Sequence, residues 1–362
     1  MHNILILGAG KVGMLVAHLL AESNDYRIHI ADMHISNEAE TLANHFSHVE
    51  VVSLDCSVKS PLLDYLEACH IKTIVSCLPY YCNVLIAEVA CEAGAHYFDV
   101  TEDIAVTAQV KQLAANHSQY VVAQCGLAPG FISIVTNHLL QGFDSVDYVK
   151  MRVGALPVNV SNALQYALTW STAGLINEYS NICYAVEGGE VVRRYPLEGV
   201  EEIKIDGLTY EAFNTSGGVG SLVHASSGKV GNMDYKTIRY PGHCEKMRFL
   251  MHELRLSQDK ALLQTVLETA LPQISQDVVL VYVAVQGKQS GRFVEKNYTK
   301  KFYPRTVSNQ SWSAIQMSTA SSLCALIDIV IEGQVQTESN FIRQEQIPFD
   351  SFIRNRFGAY FS

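Results

Sequence analysis

The stretch NILILGAGKVGMLVAHLLAESNDYRIHIAD, residues 3 to 32, decides how the chain begins. Its apolar run Ile4-Leu5-Ile6-Leu7 reads as a strand, Gly8-Ala9-Gly10-Lys11-Val12-Gly13 as a tight turn opening a helix, and the run ending at Asp32 as a second strand. Each glycine has a mechanical reason. Gly8 allows the turn, Gly10 lets backbone approach a pyrophosphate, and Gly13 lets the helix pack closely on the strand. The unpaired N–H groups of the first helical turn, where Lys11 and Val12 lie, face the same diphosphate. Asp32 stands 22 positions after Gly10, at the end of the second strand, where a carboxylate accepts from adenosine ribose hydroxyls. A 2′-phosphate there would meet that carboxylate, and Met33-His34-Ile35 brings no Arg or Lys, so the expected cofactor is NAD rather than NADP.

The alternation continues beyond Asp32. Val49 to Leu54 reads as a strand, with Ser60 as N-cap and Pro61 as first position of the next helix. Thr73 to Leu78 is a strand, Val84 to Ala93 a helix closed by Gly94, and His96 to Val100 and Tyr120 to Cys125 are strands flanking a helix from Ala105 to Ala115. Six strands joined by five helices give an α/β fold: a Rossmann-type doubly wound parallel sheet. Ligands of such sheets lie across the carboxyl ends of the strands. The candidate cofactor residues there are Asp55, Cys56, Leu78, Pro79, Gly126 and Ala128, beside Asp99 and Tyr80. Asp55 suits the adenine edge or ribose, or equally a helix cap.

A chain of 362 residues exceeds what one core usually supports, so two domains are expected. From about Phe131 the rhythm changes to that of an α+β domain. Asp147 to Gly154 reads as a strand, Leu164 to Tyr179 as a helix, and Val278 to Gln286 with Glu295 to Tyr303 as an antiparallel pair. Ala314 to Ile331 returns to helix and is expected to pack on the first domain, with the tail from Gly333 docking on the body. The expected division is 1–128 for the nucleotide domain, 129–312 for an inserted catalytic and dimerisation domain, and 313–362 for the returning helix and tail.

A formal net charge of −10 excludes non-specific nucleic-acid binding, and no polybasic patch suits a membrane surface. The sequence is expected to hold no apolar run of about 18 residues and no charged leader, and nine scattered cysteines without a C-x-x-C pair point to a reduced, cytoplasmic compartment. Neither a phosphate loop of the G-x-x-x-x-G-K-[ST] form nor H-E-x-x-H occurs, no metal site is expected, and no Tyr stands four residues before a Lys.

Several blocks together resemble the saccharopine dehydrogenase family: Gly8-Ala9-Gly10, SCLPYY at 76–81, Gly126-Leu127-Ala128-Pro129-Gly130-Phe131, Gly154-Ala155-Leu156-Pro157, Thr169-Trp170-Ser171, Glu211 to Gly218 and Tyr235 to His243. The resemblance implies oxidation by a pyridine nucleotide of the carbon–nitrogen bond at C6 of a lysine-derived amine, with a small amino-acid substrate and a homodimer. The L-glutamate-forming saccharopine dehydrogenases and L-lysine 6-dehydrogenase both fit, and a non-catalytic NAD-binding sensor is a further class. Removing hydride from such a carbon needs a neutral amine and therefore a base. The candidates are Asp99, Tyr80 and His243, with Cys125 a fourth; a near-neutral pKa favours His243 and position favours Asp99. Arg239 is the candidate clamp for a substrate carboxylate, with Tyr80 at the substrate and Asn214, Thr215 and Ser216 as neutral donors. Convergence of two or more of Arg152, Lys229, Lys236, Arg239 and Arg248 would suit saccharopine's three carboxylates; a single cation would suit lysine.

Overall fold

The computed structural model describes residues 1–115 and 117–362, and the chain divides into two compact units. The first comprises Met1–Phe131, Thr306–Gln310 and Gln316–Ser362. It is built from β1 (His2–Leu7), α1 (Lys11–Ser23), β2 (Tyr26–Asp32), α2 (Asn37–His45), β3 (Val49–Ser53), α3 (Lys59–Ala68), β4 (Thr73–Ser76), α4 (Asn83–Ala93), β5 (His96–Asp99), α5 (Ile104–Ala114) and β6 (Val121–Val122). The strands pair in the order β3-β2-β1-β4-β5-β6, all parallel, as the alternating pattern implies. The order reverses between β1 and β4, and the crevice beyond the carboxyl ends of those two strands is where such a sheet holds its ligand. Leu5, Leu7, Ile74 and Tyr97 are sealed in the core on which the sheet rests.

Local chemistry moved several boundaries. Helix α3 begins at Lys59, ahead of Ser60, so Pro61 occupies the third helical position, where its missing N–H breaks no bond. Strand β6 stops at Val122, and just beyond it the Gln124 amide leaves the ladder for a side chain: at φ +66°, Gln124 donates its N–H to Asp99 Oδ1 at 3.0 Å, after which Cys125 N–H bonds Asp99 O at 2.8 Å. The other edge of β6 is taken by the C-terminal tail. Val121 N–H bonds Asn340 O at 2.8 Å, Ile342 N–H returns to Val121 O at 3.0 Å, and Gln344 Nε2 donates to Ala123 O at 2.8 Å.

The helix Ala314–Ile331 has the bounds read from the sequence. It corrects one expectation, since by length and composition it could cross a membrane. With 78% of it buried, it has the pattern of a core helix. Asp328 on this helix is nearly sealed and accepts from the Tyr26 hydroxyl, Asn355 Nδ2 at 3.0 Å and two guanidinium nitrogens of Arg356 at 2.9 Å each.

The second unit, Ile132–Arg305 with Ser311–Ile315, holds a mixed sheet with helices. Its elements are α6 (Phe131–Leu140, opening at the unit boundary), β7 (Ser145–Pro157), α7 (Thr172–Ser180), β8 (Cys183–Glu187), β9 (Glu190–Arg194), β10 (Glu201–Ile205), β11 (Leu208–Asn214), α8 (Leu222–Ser226), β12 (Val230–Arg239), α9 (His243–Arg248), α10 (Lys260–Ala270), β13 (Asp277–Gln289) and β14 (Arg292–Phe302). Its strands run in the order β10-β11-β12-β7-β13-β14, with the β8–β9 hairpin attached through β12; β12 and β7 are parallel and β13 and β14 form the expected antiparallel pair. Helix α7 starts only at Thr172, not at Leu164. The Ser171 hydroxyl caps it by accepting from Gly174 N–H at 3.1 Å, and the preceding segment is drawn off by Leu168 N–H bonding Pro272 O at 2.9 Å.

Replacing Asp328 by Ala leaves Arg356 and the buried Tyr26 hydroxyl without their shared acceptor, so the urea midpoint of the first unit should fall by the equivalent of about 3 kcal/mol. A midpoint unchanged from the wild type would show that this network does not hold the returning helix.

Candidate functional site

In the first unit the glycine turn is shaped by close approach. A Cβ on Gly13 would lie 1.9 Å from Gly8 O, and Gly8 itself sits at φ +99° with Cys77 O 3.0 Å from where its Cβ would be. Gly10 differs: nothing lies within 4 Å of a Cβ built there, and it caps α1 without any side-chain hydrogen bond. The turn therefore offers open space against an uncapped helix N-terminus, which fits a pyrophosphate. Lys11 is exposed and Val12 half-buried in that first turn. Asp32 Oδ2 accepts from Ala9 N–H at 2.8 Å, and Oδ1 from His34 N–H at 3.1 Å. The carboxylate thus ties the turn to the end of β2.

The remaining post-strand residues fall into distinct roles. Asp55 is exposed and receives both the N–H and the hydroxyl of Ser57, at 2.9 and 2.6 Å, which hold its pKa below the usual value. Cys56 is buried, and burial pushes its thiol up to about 11. Leu78 reaches the glycine turn, its Cδ2 lying 3.3 Å from the ideal Cβ of Gly8, while exposed Pro79 leads into the short 3-10 turn Tyr80–Cys82. Tyr80 is half-buried, with a phenol pKa raised by burial. Gly126 is buried, and its carbonyl accepts from Phe131 N–H at 3.0 Å; Ala128 is half-buried on the same turn.

Asp99 lies at the end of β5 with no exposed surface. It accepts from the Tyr97 hydroxyl at 2.9 Å, Thr101 N–H at 2.9 Å and Gln124 N–H at 3.0 Å. Desolvation outweighs these donors and raises its pKa to about 6. Cys125 beside it is sealed, donates to Val122 O at 3.2 Å and has its thiol pKa raised well above the ordinary value by burial, which removes it as a base.

The second unit contains a buried polar chain whose direction can be assigned. His243 Nδ1 faces Leu164 O at 2.8 Å, and a carbonyl can only accept, so Nδ1 carries the proton. Nε2 then accepts from the Tyr179 hydroxyl at 3.1 Å, and Tyr179 in turn accepts from Arg239 Nε at 3.0 Å. Arg239 Nη1 donates to Ile238 O at 2.9 Å, and the guanidinium stacks over Tyr166 with its carbon 5.0 Å from the ring centre. Among the described residues Nη2 has one partner, Glu178 Oε2 at 3.9 Å. Burial opposes the charge of Arg239, but Tyr179, Tyr166 and Glu178 outweigh it and keep the group protonated. Glu178 is fixed from behind, its Oε1 accepting from Thr237 at 2.6 Å and Thr237 accepting from Thr215 at 3.1 Å.

Three expectations change here. His243 does not carry a near-neutral pKa: burial, then the charge of Arg239, depresses it to about 3, so it is neutral at physiological pH and orients Tyr179. Asn214, Thr215 and Ser216 each turn a donor to a partner within the chain. Asn214 Nδ2 reaches Tyr195 O at 3.4 Å, Thr215 serves Thr237, and Ser216 gives its N–H to Glu178 O at 3.0 Å and its hydroxyl to the same carbonyl at 3.2 Å. Arg152 and Lys236 do converge, but on acids of their own. Arg152 meets Asp234 at 3.0 Å through two nitrogens and Glu201 at 2.5 Å, and Lys236 meets Glu201 at 3.0 Å. Lys236 and Arg239 stand three residues apart on β12 and so project to opposite faces of the sheet. Glu178, Tyr179 and Tyr166 were not read as functional. The one sequence signal for the first two was an acid beside a tyrosine in the otherwise apolar-faced stretch Gly174 to Tyr179.

A glycine cradle at the switch point of a parallel sheet, followed by a second α+β unit, defines a two-unit protein of the dinucleotide-binding α/β class. The family model for the saccharopine dehydrogenase NADP binding domain matches residues 4–125, and that for the saccharopine dehydrogenase C-terminal domain matches residues 126–356. The chain belongs to the saccharopine dehydrogenase family. Its fold is similar to that of apo saccharopine dehydrogenase (L-Glu forming) from Saccharomyces cerevisiae, at 15% identity and a TM-score of 0.77 over 99% of this chain and 98% of that one. An amine dehydrogenase from Mycobacterium smegmatis overlaps at 11% identity and a TM-score of 0.49, covering 96% of each chain.

Because the folded-state pKa of Asp99 is raised above its ordinary 3.8, it adds stability that is present at low pH and lost as pH rises through about 6. Asp99→Asn removes that titration. Relative to the wild type, the variant should gain on the order of 2–3 kcal/mol in unfolding free energy between about pH 4 and pH 7; a pH-independent difference would contradict the raised pKa.

Proposed function

We propose that the chain is a saccharopine dehydrogenase of the L-glutamate-forming type, oxidising the C–N bond at C6 of saccharopine's lysine moiety in lysine metabolism. Loss of hydride from C6 gives an imine, and water then adds to C6 and breaks the C–N bond, releasing glutamate and aminoadipate semialdehyde. The observation that carries this reading is Arg239, a buried, charged guanidinium whose Nη2 makes no hydrogen bond among the described residues and which is held in place through Tyr179 and His243. Such a group is what an amino-acid carboxylate requires. The activity proposed is that of the yeast enzyme whose fold the chain shares.

A pyridine nucleotide, when bound, accepts the hydride; the glycine turn and Asp32 are the residues that would hold it. The amine must lose a proton before hydride leaves, and Asp99, at a pKa of about 6, has the proton affinity for that task at neutral pH. His243, depressed to about 3, does not. Asp32 supports NAD over NADP, since both its oxygens are already set by backbone donors at the ribose position. A homodimer in the cytoplasm belongs to the same reading.

One observation favours L-lysine 6-dehydrogenase as a second reading. Of Arg152, Lys236 and Arg239, the first two are engaged at 3.0 Å or less by Glu201 and Asp234, which leaves Arg239 alone of the three without a close acid among the described residues and suits one carboxylate better than three.

Mixing the purified chain with NAD or NADP and either saccharopine or lysine, and following reduced-nicotinamide absorbance, tests both. Saccharopine-dependent reduction with glutamate release is expected. Reduction with lysine alone would select the second reading, and none with either would remove both. Arg239→Lys should raise the KM for saccharopine at least ~10-fold and leave the Kd for NAD as it is, because Lys cannot supply the fork; an unchanged KM would exclude Arg239 as the clamp. Asp32→Ser should weaken NAD more than NADP, by about 10-fold in the ratio of their Kd values. A constant ratio would refute the cofactor preference.

A further inference from the structure

The pair Glu178–Arg239 does more than a clamp needs. A buried ion pair is worth its desolvation only when geometry is good and the remaining lone pairs and protons are satisfied. Here the charges stand 3.9 Å apart, beyond hydrogen-bond reach. They do not close because each is held from the far side: Thr237 grips Glu178 Oε1 at 2.6 Å, and Tyr179 grips Arg239 Nε at 3.0 Å. Glu178 Oε2 and Arg239 Nη2 are left side by side, with 9% and 3% of their side-chain surfaces open. Arg152 shows the contrast within the same unit, closing a two-nitrogen contact on Asp234 at 3.0 Å.

We propose that Glu178 and Arg239 form an electroneutral slot for the zwitterionic head of a free α-amino acid, Arg239 taking the carboxylate and Glu178 the adjacent α-ammonium. The spacing suits such a head, whose two charged groups sit on one carbon. A bare carboxylate would meet Glu178 as a like charge, whereas the zwitterion completes both members of the pair and adds no net charge to a buried place. Neutral His243 and the Tyr166 ring add no competing charge. Glu178 is thus a specificity-determining residue, and the α-ammonium is the feature it selects. This rests on the reading of the chain as a dehydrogenase of amino-acid amines, but binding can be measured without turnover.

The test is calorimetric titration of the full chain with L-lysine and with 6-aminohexanoate, which differ only in the α-ammonium, for wild type and Glu178→Gln. Gln keeps an oxygen for Thr237, and a thermal melt checks that the variant is folded. Wild type should bind L-lysine about tenfold or more tightly than 6-aminohexanoate, and E178Q should bring that ratio close to one. Equal affinities in the wild type, no binding of either ligand, or a ratio preserved in E178Q would overturn the proposal. Should the ratio behave as expected while saccharopine and lysine both go unoxidised, the slot stands and the redox reading falls; oxidation of either without the ratio gives the reverse.

Discussion

Helix α1 lies where it does because two glycines let backbone meet backbone. A side chain on Gly13 would come within 1.9 Å of Gly8 O, so the helix can start directly over the end of β1 only in their absence. That contact points an uncapped helix terminus at the crevice between β1 and β4, and Asp32 then fastens the turn through Ala9 N–H. The first unit's capacity for a dinucleotide follows from this one approach of main chains.

The second unit solves a different problem, which is how to keep a guanidinium charged and aimed in a place with almost no water. It does so with a chain of fixed polarity. The carbonyl of Leu164 sets the tautomer of His243, His243 sets the hydroxyl of Tyr179, and Tyr179 sets Arg239. Thr215 and Thr237 do the same for Glu178. Both ends of the pair are therefore preorganised, and a ligand that meets them loses little to rearrangement. On the opposite face of the same sheet Arg152 and Lys236 are neutralised by Asp234 and Glu201, so basic residues that look alike in sequence have unlike surroundings.

Much of the first unit was legible because its signals are periodic or rely on glycine. The parallel order β3-β2-β1-β4-β5-β6 follows from alternating apolar runs, and Ala314–Ile331 declared both of its ends. The site in the second unit was half legible. Arg239 and His243 stand in a run around a proline turn, but nothing in that run tells that His243 is sealed beside a cation and so loses the near-neutral pKa that made it attractive as a base. Glu178 sits in NEYS, which reads as the polar face of a helix; only the packing of α7 against β12 shows it to be buried. Asn214, Thr215 and Ser216 were recognised as donors, but their acceptors lie far off in the chain and within the protein.

In the reaction proposed for this chain, hydride leaves the nitrogen-bearing C6 of a lysine-derived substrate for a nicotinamide. Saccharopine carrying deuterium at C6, incubated with the protein and NAD, tests it directly by mass spectrometry of the cofactor. Deuterium should appear in the reduced nicotinamide in proportion to the glutamate released. Reduced cofactor free of the label, or labelled saccharopine recovered intact beside folded protein saturated with NAD, would contradict the account.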